Sequence, residues 1–357
     1  MADKPRRKRP IARVAKKARS DRRSDPKPTQ YRIRRKIPDP TYSLTEIVRP
    51  HVPKSPRLAK VSDTQLALRT VATAAPVTPQ PFLKWVGGKA QLLAQFDEFF
   101  PAEITRYFEP FVGGGAVFFR LKHRFPKMKA FLRDINPELI NTYLAIRDFP
   151  KELMQRLDEH AAEFKAKGDD YFYFVRAQHH LTGDDKKIVE RAARMIFLNK
   201  TCFNGLWRVN ARDEFNVPVG SNKNPGLYNE ENILAASHAL EGVHLAVQDF
   251  RETLNQTRRG DFAYIDPPYY PVSATASFTS YAKEDFGEGE QRELHAVFAE
   301  AAQRGACLML SNSDTPFIRK LYGDFQIHTV QARRAINCDG SKRGHVNEVV
   351  VTNLTNK

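Results

Sequence analysis

Phe262-Ala263-Tyr264-Ile265-Asp266-Pro267-Pro268-Tyr269 joins a short apolar, β-prone run to a tetrapeptide rich in proline. Four such residues read as a buried strand, and two prolines stop any ladder or helix directly after it. Asp266 therefore stands at the carboxyl end of a strand, where open α/β sheets bind their ligands. At average residue usage the tetrapeptide arises by chance in about one chain of this length in a thousand. Its prolines fix the backbone and leave a rigid edge of acceptors, the Asp266 carboxylate and the Pro267 carbonyl, beside the face of Tyr269. That arrangement suits a planar ring bearing an exocyclic amino group. A plain Pro-rich turn is the alternative reading.

Outward from this stretch, Tyr107–Glu109, Ala130–Arg133, His244–Val247 and Cys307–Leu310 are also short, β-prone and followed by turns. Helical patterns lie between several of them, such as Ala116–Leu121, Glu138–Arg147 and Gly289–Gln303. Strands alternating with helices predict an α/β sheet with parallel pairs, and Val-rich His345–Leu354 predicts a further strand. From Phe149 to Gly242 the rhythm breaks: a helical part to Leu198 precedes an Asn/Gly-rich part, Asn199–Gly226. We expect an inserted helical domain over 149–242, with a protruding hairpin or loop, between the two parts of the sheet domain, 81–148 and 243–357.

The 357 residues carry a net charge of +16, unevenly placed. Residues 1–80 hold 21 Lys+Arg against 6 Asp+Glu, and the rest is nearly neutral. This segment, with many prolines and few aromatics, is expected to be a disordered basic tail, helical at most near Ile11–Arg19, that attracts phosphate backbones without reading sequence. A solubilising tail is the alternative. The three cysteines, Cys202, Cys307 and Cys338, fit neither a disulfide framework nor a metal-ligand spacing, and imply a reducing compartment. No apolar run reaches a membrane span, and the charged, Pro-rich start lacks the core of a secretory signal.

Two glycine-rich turns complete the pattern. Glu109-Pro110-Phe111-Val112-Gly113-Gly114-Gly115 follows one strand and opens a helix, so the backbone there can approach a ligand closely. Asp134 ends the next strand, where a carboxylate can accept ribose hydroxyls, and Asp249 ends a later one. Phe82-Leu83-Lys84-Trp85-Val86-Gly87-Gly88-Lys89 holds a Gly-Lys pair but is no triphosphate loop: the upstream glycine is missing and Ala90 replaces the magnesium-binding Ser/Thr. An aromatic ring and a lysine there suit a carboxylate-bearing adenosyl ligand instead.

Taken together and in this order, Phe82–Lys89, Glu109–Gly115, Asp134-Ile135-Asn136-Pro137, Asn204–Arg208, Glu214–Pro218, Asp266–Tyr269 and Ser273–Tyr281 resemble the DNA adenine methylase (Dam) family of S-adenosylmethionine-dependent methyltransferases. The resemblance spans about residues 82–354, and its motif order is that of the family's α group. It implies a Rossmann-like methyltransferase sheet with an inserted helical target-recognition domain. It implies S-adenosyl-L-methionine as methyl donor, double-stranded DNA as partner, no metal, and a cytoplasmic monomer. Trp85, Lys89, Phe111, Gly113, Asp134 and Asp266 match the family's cofactor contacts; Asp249, read from its place after His244–Val247, is either a later acceptor near the adenine end or an exposed strand-end acid. Asp266, Pro267 and Tyr269 match the catalytic edge. Lys84, Phe203, Asn204, Leu206, Arg208 and Pro218 match the base-reading region, with departures from close relatives at Phe203, where Tyr is often seen, and at Trp207.

The implied chemistry is site-specific N6 methylation of an adenine flipped from the duplex, within GATC. Cytosine N4 enzymes mostly resemble each other in carrying Ser at the position of Asp266, and glutamine-modifying enzymes mostly carry Asn and lack the insertion. A DNA-binding protein that had lost catalysis should show a damaged tetrapeptide, glycine loop or Lys89, and all three are intact. A non-specific binder driven by the tail would lose most of its affinity with salt, whatever the DNA sequence.

Overall fold

The computed structural model describes residues 77–222, 224–272, 286–333 and 345–354. The basic segment through residue 76, Ser273–Tyr281 and Cys338 lie outside the described residues.

Among the described residues seven strands form one sheet: β1 (Arg106–Glu109), β2 (Lys129–Asp134), β3 (His244–Val247), β4 (Phe262–Ile265), β5 (Cys307–Ser313), β6 (Gln326–Arg333) and β7 (His345–Thr352). Their order is β3-β2-β1-β4-β5-β7-β6. The first five pair in parallel, and β7 runs antiparallel between β5 and β6. The order reverses between β1 and β4, a topological switch point, so the crevice above their carboxyl ends is the expected ligand site.

The described residues also form ten α-helices: α1 (Leu93–Phe96), α2 (Ala116–Arg124), α3 (Pro137–Asp148), α4 (Pro150–Lys167), α5 (Asp169–Arg176), α6 (Ile188–Thr201), α7 (Glu230–Leu240), α8 (Phe250–Asn255), α9 (Glu288–Gln303) and α10 (Pro316–Leu321). None of the described helices is long and apolar enough to cross a membrane.

Strand alternation sorts the core into two layers. On β4, Phe262 and Tyr264 join a cluster with Phe96, Val117, Phe172 and Leu198. Ala263 and Ile265 face the other way, onto Phe250, Leu294, Phe298 and Tyr322. All four β4 side chains are buried, as a central parallel strand covered on both faces requires. Each large apolar side chain so enclosed contributes about 1.5–3 kcal/mol. The helical stretch after α3 shares the first cluster: Phe164, Phe172, Phe197 and Leu198 lie in one continuous core with Tyr107 and Tyr264.

The expected strands and helices appear with small shifts at their ends. Gln326–Arg333 was not among the expected strands. It is the edge strand, with Ile327 and His328 only half-buried and Thr329 exposed, so its apolar pattern is diluted. Within the polar stretch Asn199–Gly226, α6 runs on to Thr201 and the chain from Cys202 to Val219 forms an irregular hairpin, marked by the antiparallel bridges Cys202↔Val219 and Val209↔Phe215.

Candidate active site at the strand ends

Three adjacent strands each end in an acid. Asp134 ends β2, Glu109 ends β1, and Asp266 follows β4. The tetrapeptide Asp134-Ile135-Asn136-Pro137 is also a helix start: Asn136 Oδ1 accepts from the Glu138 and Leu139 amides at 3.0 and 3.2 Å, and Pro137 takes the first turn of α3. Strand end, acid and helix cap are thus specified together.

The glycine turn after β1 is fixed against this acid. The Val112 amide donates to the Arg133 carbonyl at 2.9 Å. The Gly113 amide donates to Asp134 Oδ2 at 3.2 Å, and Tyr143 Oη donates to the Gly113 carbonyl at 3.0 Å. Gly113 has φ +48, and a Cβ there would stand 2.7 Å from Trp85 Cδ1. The indole edge therefore lies directly against the turn, which joins two expected cofactor contacts from different segments. Phe111 stacks on Phe250 with ring centroids 5.6 Å apart. Asp249 caps α8, accepting from the Arg251 amide at 2.8 Å and from its guanidinium at 2.9 Å.

Around Asp266 the contacts are dense. Lys89 Nζ lies 2.8 Å from Asp266 Oδ2 and 4.7 Å from the centroid of the Tyr269 ring, and it also donates to the Gly87 carbonyl. The Lys89 side chain is 5% exposed, so its charge is held by this pairing rather than by water. Asp266 Oδ1 is buried with no hydrogen-bond partner among the described residues. The backbone beyond is clamped: Gln291 Nε2 donates to the Pro268 carbonyl at 2.9 Å, the Tyr270 amide to Asn312 Oδ1 at 3.1 Å, and Ser313 Oγ to the Tyr270 carbonyl at 2.6 Å. Asn312 Nδ2 in turn donates to Gln291 Oε1 at 3.1 Å.

Burial pushes the Asp266 carboxyl up to about 6, against the opposing pull of Lys89. Burial likewise lifts Asp134 to about 6, against its backbone donors, and raises Glu109 well above the carboxylate range although Tyr107 Oη donates to it at 2.8 Å. A carboxyl raised by folding favours the native state while protonated. The stability that Asp266 and Asp134 contribute is thus full below about 3.8, their ordinary value, and lost as pH rises through about 6. If Asp266 is the acceptor of amino hydrogens that the resemblance implies, activity should run oppositely, because that acceptor must be ionised. Single-turnover methyl transfer should fall about tenfold per unit below pH 6, while the melting temperature of the free protein rises over the same interval. A rate flat from pH 5 to 8 would exclude Asp266 as the titrating acceptor.

The hairpin is joined to the other end of Lys84–Lys89. Asn199, fully buried on α6, accepts from the Lys84 amide at 2.8 Å and donates to the Lys84 and Gly205 carbonyls, both at 2.8 Å. Gly205 has room for no side chain: a Cβ would stand 2.6 Å from Lys84 Cδ. Phe203, Asn204, Arg208 and Pro218 are exposed, and Leu206 is half-buried. The Phe203 amide donates to the Pro218 carbonyl at 2.9 Å, and Arg208 Nε donates to Asn216 Oδ1 at 2.7 Å. The Lys84 side chain is exposed beside them. Sequence reasoning missed Glu109, Asn199, Gln291, Asn312 and Glu348. Only Glu109 carried a signal, an acid at the same strand-end position as Asp134.

A switch-point crevice, a glycine turn tied to a strand-end acid and an amide-sized acceptor edge define a Rossmann-type methyltransferase. The family profile of the D12 class N6 adenine-specific DNA methyltransferases matches residues 85–336. The chain is 42% identical over 274 residues to the type II methyltransferase M.MjaIII of Methanocaldococcus jannaschii, covering 74% of this chain and 95% of that one. It is 40% identical over 280 residues to the type II methyltransferase M1.LlaDCHI of Lactococcus lactis subsp. cremoris (78% and 96%). To the DNA adenine methylase of Haemophilus influenzae it is 33% identical over 273 residues (76% and 92%). The chain belongs to the D12 class of adenine-specific DNA methyltransferases, enzymes that use S-adenosylmethionine.

Proposed function

We propose that the chain methylates N6 of adenine within GATC in double-stranded DNA, acting on a base flipped into the pocket beside Tyr269. The observation that carries this reading is the Asp266 edge: a half-buried carboxylate whose enclosed Oδ1 has no partner among the described residues, next to a backbone held rigid by Gln291, Asn312 and Ser313. The residues present fit the methyl donor. Gly113 lets the turn backbone lie against the Trp85 indole edge, where a Cβ would stand 2.7 Å from Cδ1, and Asp134 offers a half-buried carboxylate at the end of β2. Trp85, Phe111, Gly113 and Asp134 would line its site, Asp249 would be a later acceptor, and Lys89 would balance charge between donor and Asp266. When bound, S-adenosylmethionine supplies an electrophilic methyl on a sulfonium.

The chain's own groups then position the acceptor. The adenine amino nitrogen is a weak nucleophile because its lone pair is delocalised into the ring. Asp266 and the Pro267 carbonyl would accept its two hydrogens and turn the lone pair toward the methyl group. The amino nitrogen would take the methyl group while sulfur keeps the S–C electron pair as a neutral thioether, and the surplus amino proton would pass along its hydrogen bond to the Asp266 carboxylate and from there to solvent. Tyr269 would stack on the ring. Lys89 now occupies Asp266 Oδ2, so an arriving amino group meets the unpartnered Oδ1 or displaces the ammonium. Positioning and electrostatic arrangement carry most of the acceleration.

The hairpin would read the site. The Arg208 guanidinium is held through Nε by Asn216, leaving its terminal nitrogens without a partner among the described residues and free to bind a guanine edge. Lys84 and Asn204 would contribute polar contacts, Leu206 and Pro218 would meet a thymine methyl, and Phe203, 51% exposed, would wedge where the base leaves its stack. Arg208→Ala should reduce discrimination at one guanine by about 1–3 kcal/mol while sparing the others. Methylation of GATC and its single-base variants by both proteins checks this, and an equal drop on every duplex would assign Arg208 to phosphate. Long-read sequencing of DNA from cells expressing the gene tests the whole reading. Modified adenine outside GATC would overturn the site, and no modified adenine would overturn the activity.

A further inference from the structure

Tyr269 is held differently from the residues around it. The backbone on either side is fixed by α9 and β5, through Gln291 on the Pro268 carbonyl and Asn312 and Ser313 on Tyr270. Those contacts set where the Cα lies but not the plane of the ring. The phenol Oη donates to Glu348 Oε2 at 2.7 Å. Glu348 comes from β7, the antiparallel strand near the end of the chain, opposite Ser313 of β5 and Val330 of β6. A carboxylate on a strand paired on both sides is a stiff anchor. A charge-assisted bond of this length is also among the stronger hydrogen bonds.

Stacking alone needs no hydroxyl, since a phenylalanine offers the same face. The hydroxyl here is spent on Glu348. Over the ring, Lys89 Nζ lies 4.7 Å from the centroid while paired with Asp266. Ring, ammonium and carboxylates thus form one chain of contacts, Glu348–Tyr269–Lys89–Asp266. Burial, with Asp266 and Glu348 adding to it, holds the Tyr269 phenol far above its ordinary range, so it stays a donor at working pH.

We propose that Glu348 is a positioning residue for methyl transfer: it fixes the plane of the Tyr269 ring, against which the target adenine stacks. This rests on the proposed role of Tyr269. Glu348 touches neither substrate and acts through the phenol. Misplacement of a reacting group by a fraction of its bond length is costly, so loss of the anchor should appear in the chemical step.

The test uses the full chain, S-adenosylmethionine and a duplex bearing one target adenine. Wild type, Glu348→Ala, Glu348→Gln, Tyr269→Phe and the Tyr269→Phe/Glu348→Ala double variant are compared by single-turnover rate, by cofactor affinity and by thermal melt. Glu348→Ala and Tyr269→Phe should each slow methyl transfer about tenfold with cofactor affinity unchanged. Gln keeps an acceptor and should recover most of the rate. The double variant should be no slower than either single one, because both remove the same bond. A Glu348→Ala rate equal to wild type, losses that multiply in the double variant, or no recovery with Gln overturns the proposal while leaving the adenine reading intact. A wild type inactive on every adenine duplex overturns both. Should Glu348→Ala fail to fold, Tyr269→Phe and Glu348→Gln carry the comparison: Tyr269→Phe at wild-type rate, or Glu348→Gln as slow as Tyr269→Phe, overturns it.

Discussion

Asp266→Ala should lower methyl transfer by at least about 10²–10³, the usual loss when one preorganised contact to the reacting group is removed. The loss has two sources. The unpartnered Oδ1 disappears as an acceptor for the amino group, and the Lys89 ammonium, 5% exposed, loses its counter-charge. An uncompensated buried charge is destabilising, so a lowered melting temperature should accompany the rate loss. Asp266→Asn separates the two effects: it keeps the shape and one oxygen but not the charge. Both variants should still bind duplex DNA if the hairpin reads it. A purified, folded Asp266→Ala protein with more than a tenth of the wild-type rate would show that the carboxylate does not touch the acceptor.

Gly113→Ala should weaken S-adenosylmethionine binding at least about tenfold. A Cβ at Gly113 stands 2.7 Å from Trp85 Cδ1 and 2.9 Å from Nε1, closer than packed atoms allow, and φ +48 already disfavours any side chain. The rigid indole must move, and with it the turn whose amide bonds Asp134 and whose carbonyl is held by Tyr143. Backbone strain of this kind costs about 1–3 kcal/mol. Calorimetric titration with the cofactor, beside a melt of the free protein, measures both consequences. Unchanged affinity would place the donor away from this turn.

The central strands were legible because burial on both faces demands unbroken apolar runs, and Phe262–Ile265 is such a run. The tetrapeptide after it was legible because proline stops a strand in a recognisable way. Gln326–Arg333 was not, since an edge strand mixes exposed and buried positions and so loses contrast. The same division holds at the site. Asp134 and Asp266 follow strands and stand where local pattern points. Glu348 and Asn199 meet their partners across 79 and 115 residues, and nothing near them in sequence marks the encounter. Contacts made by folding alone leave no local signature, which is why the residues that hold a site are harder to find than those that face its ligand.

Asn199 ties the segment carrying Trp85 and Lys89 to the hairpin carrying Arg208, by three bonds of 2.8 Å from one buried amide. The two are therefore one mechanical part assembled from distant stretches of chain. A chimaera made by grafting only residues 200–220 from a relative would import half of that part and leave its mating surface behind. Gly205, where a Cβ would stand 2.6 Å from Lys84 Cδ, would no longer be matched to Lys84, and the misfit would travel five residues along to Lys89. If the hairpin reads the site as proposed, the transplantable unit for retargeting is the pair of segments 82–89 and 199–220, moved together.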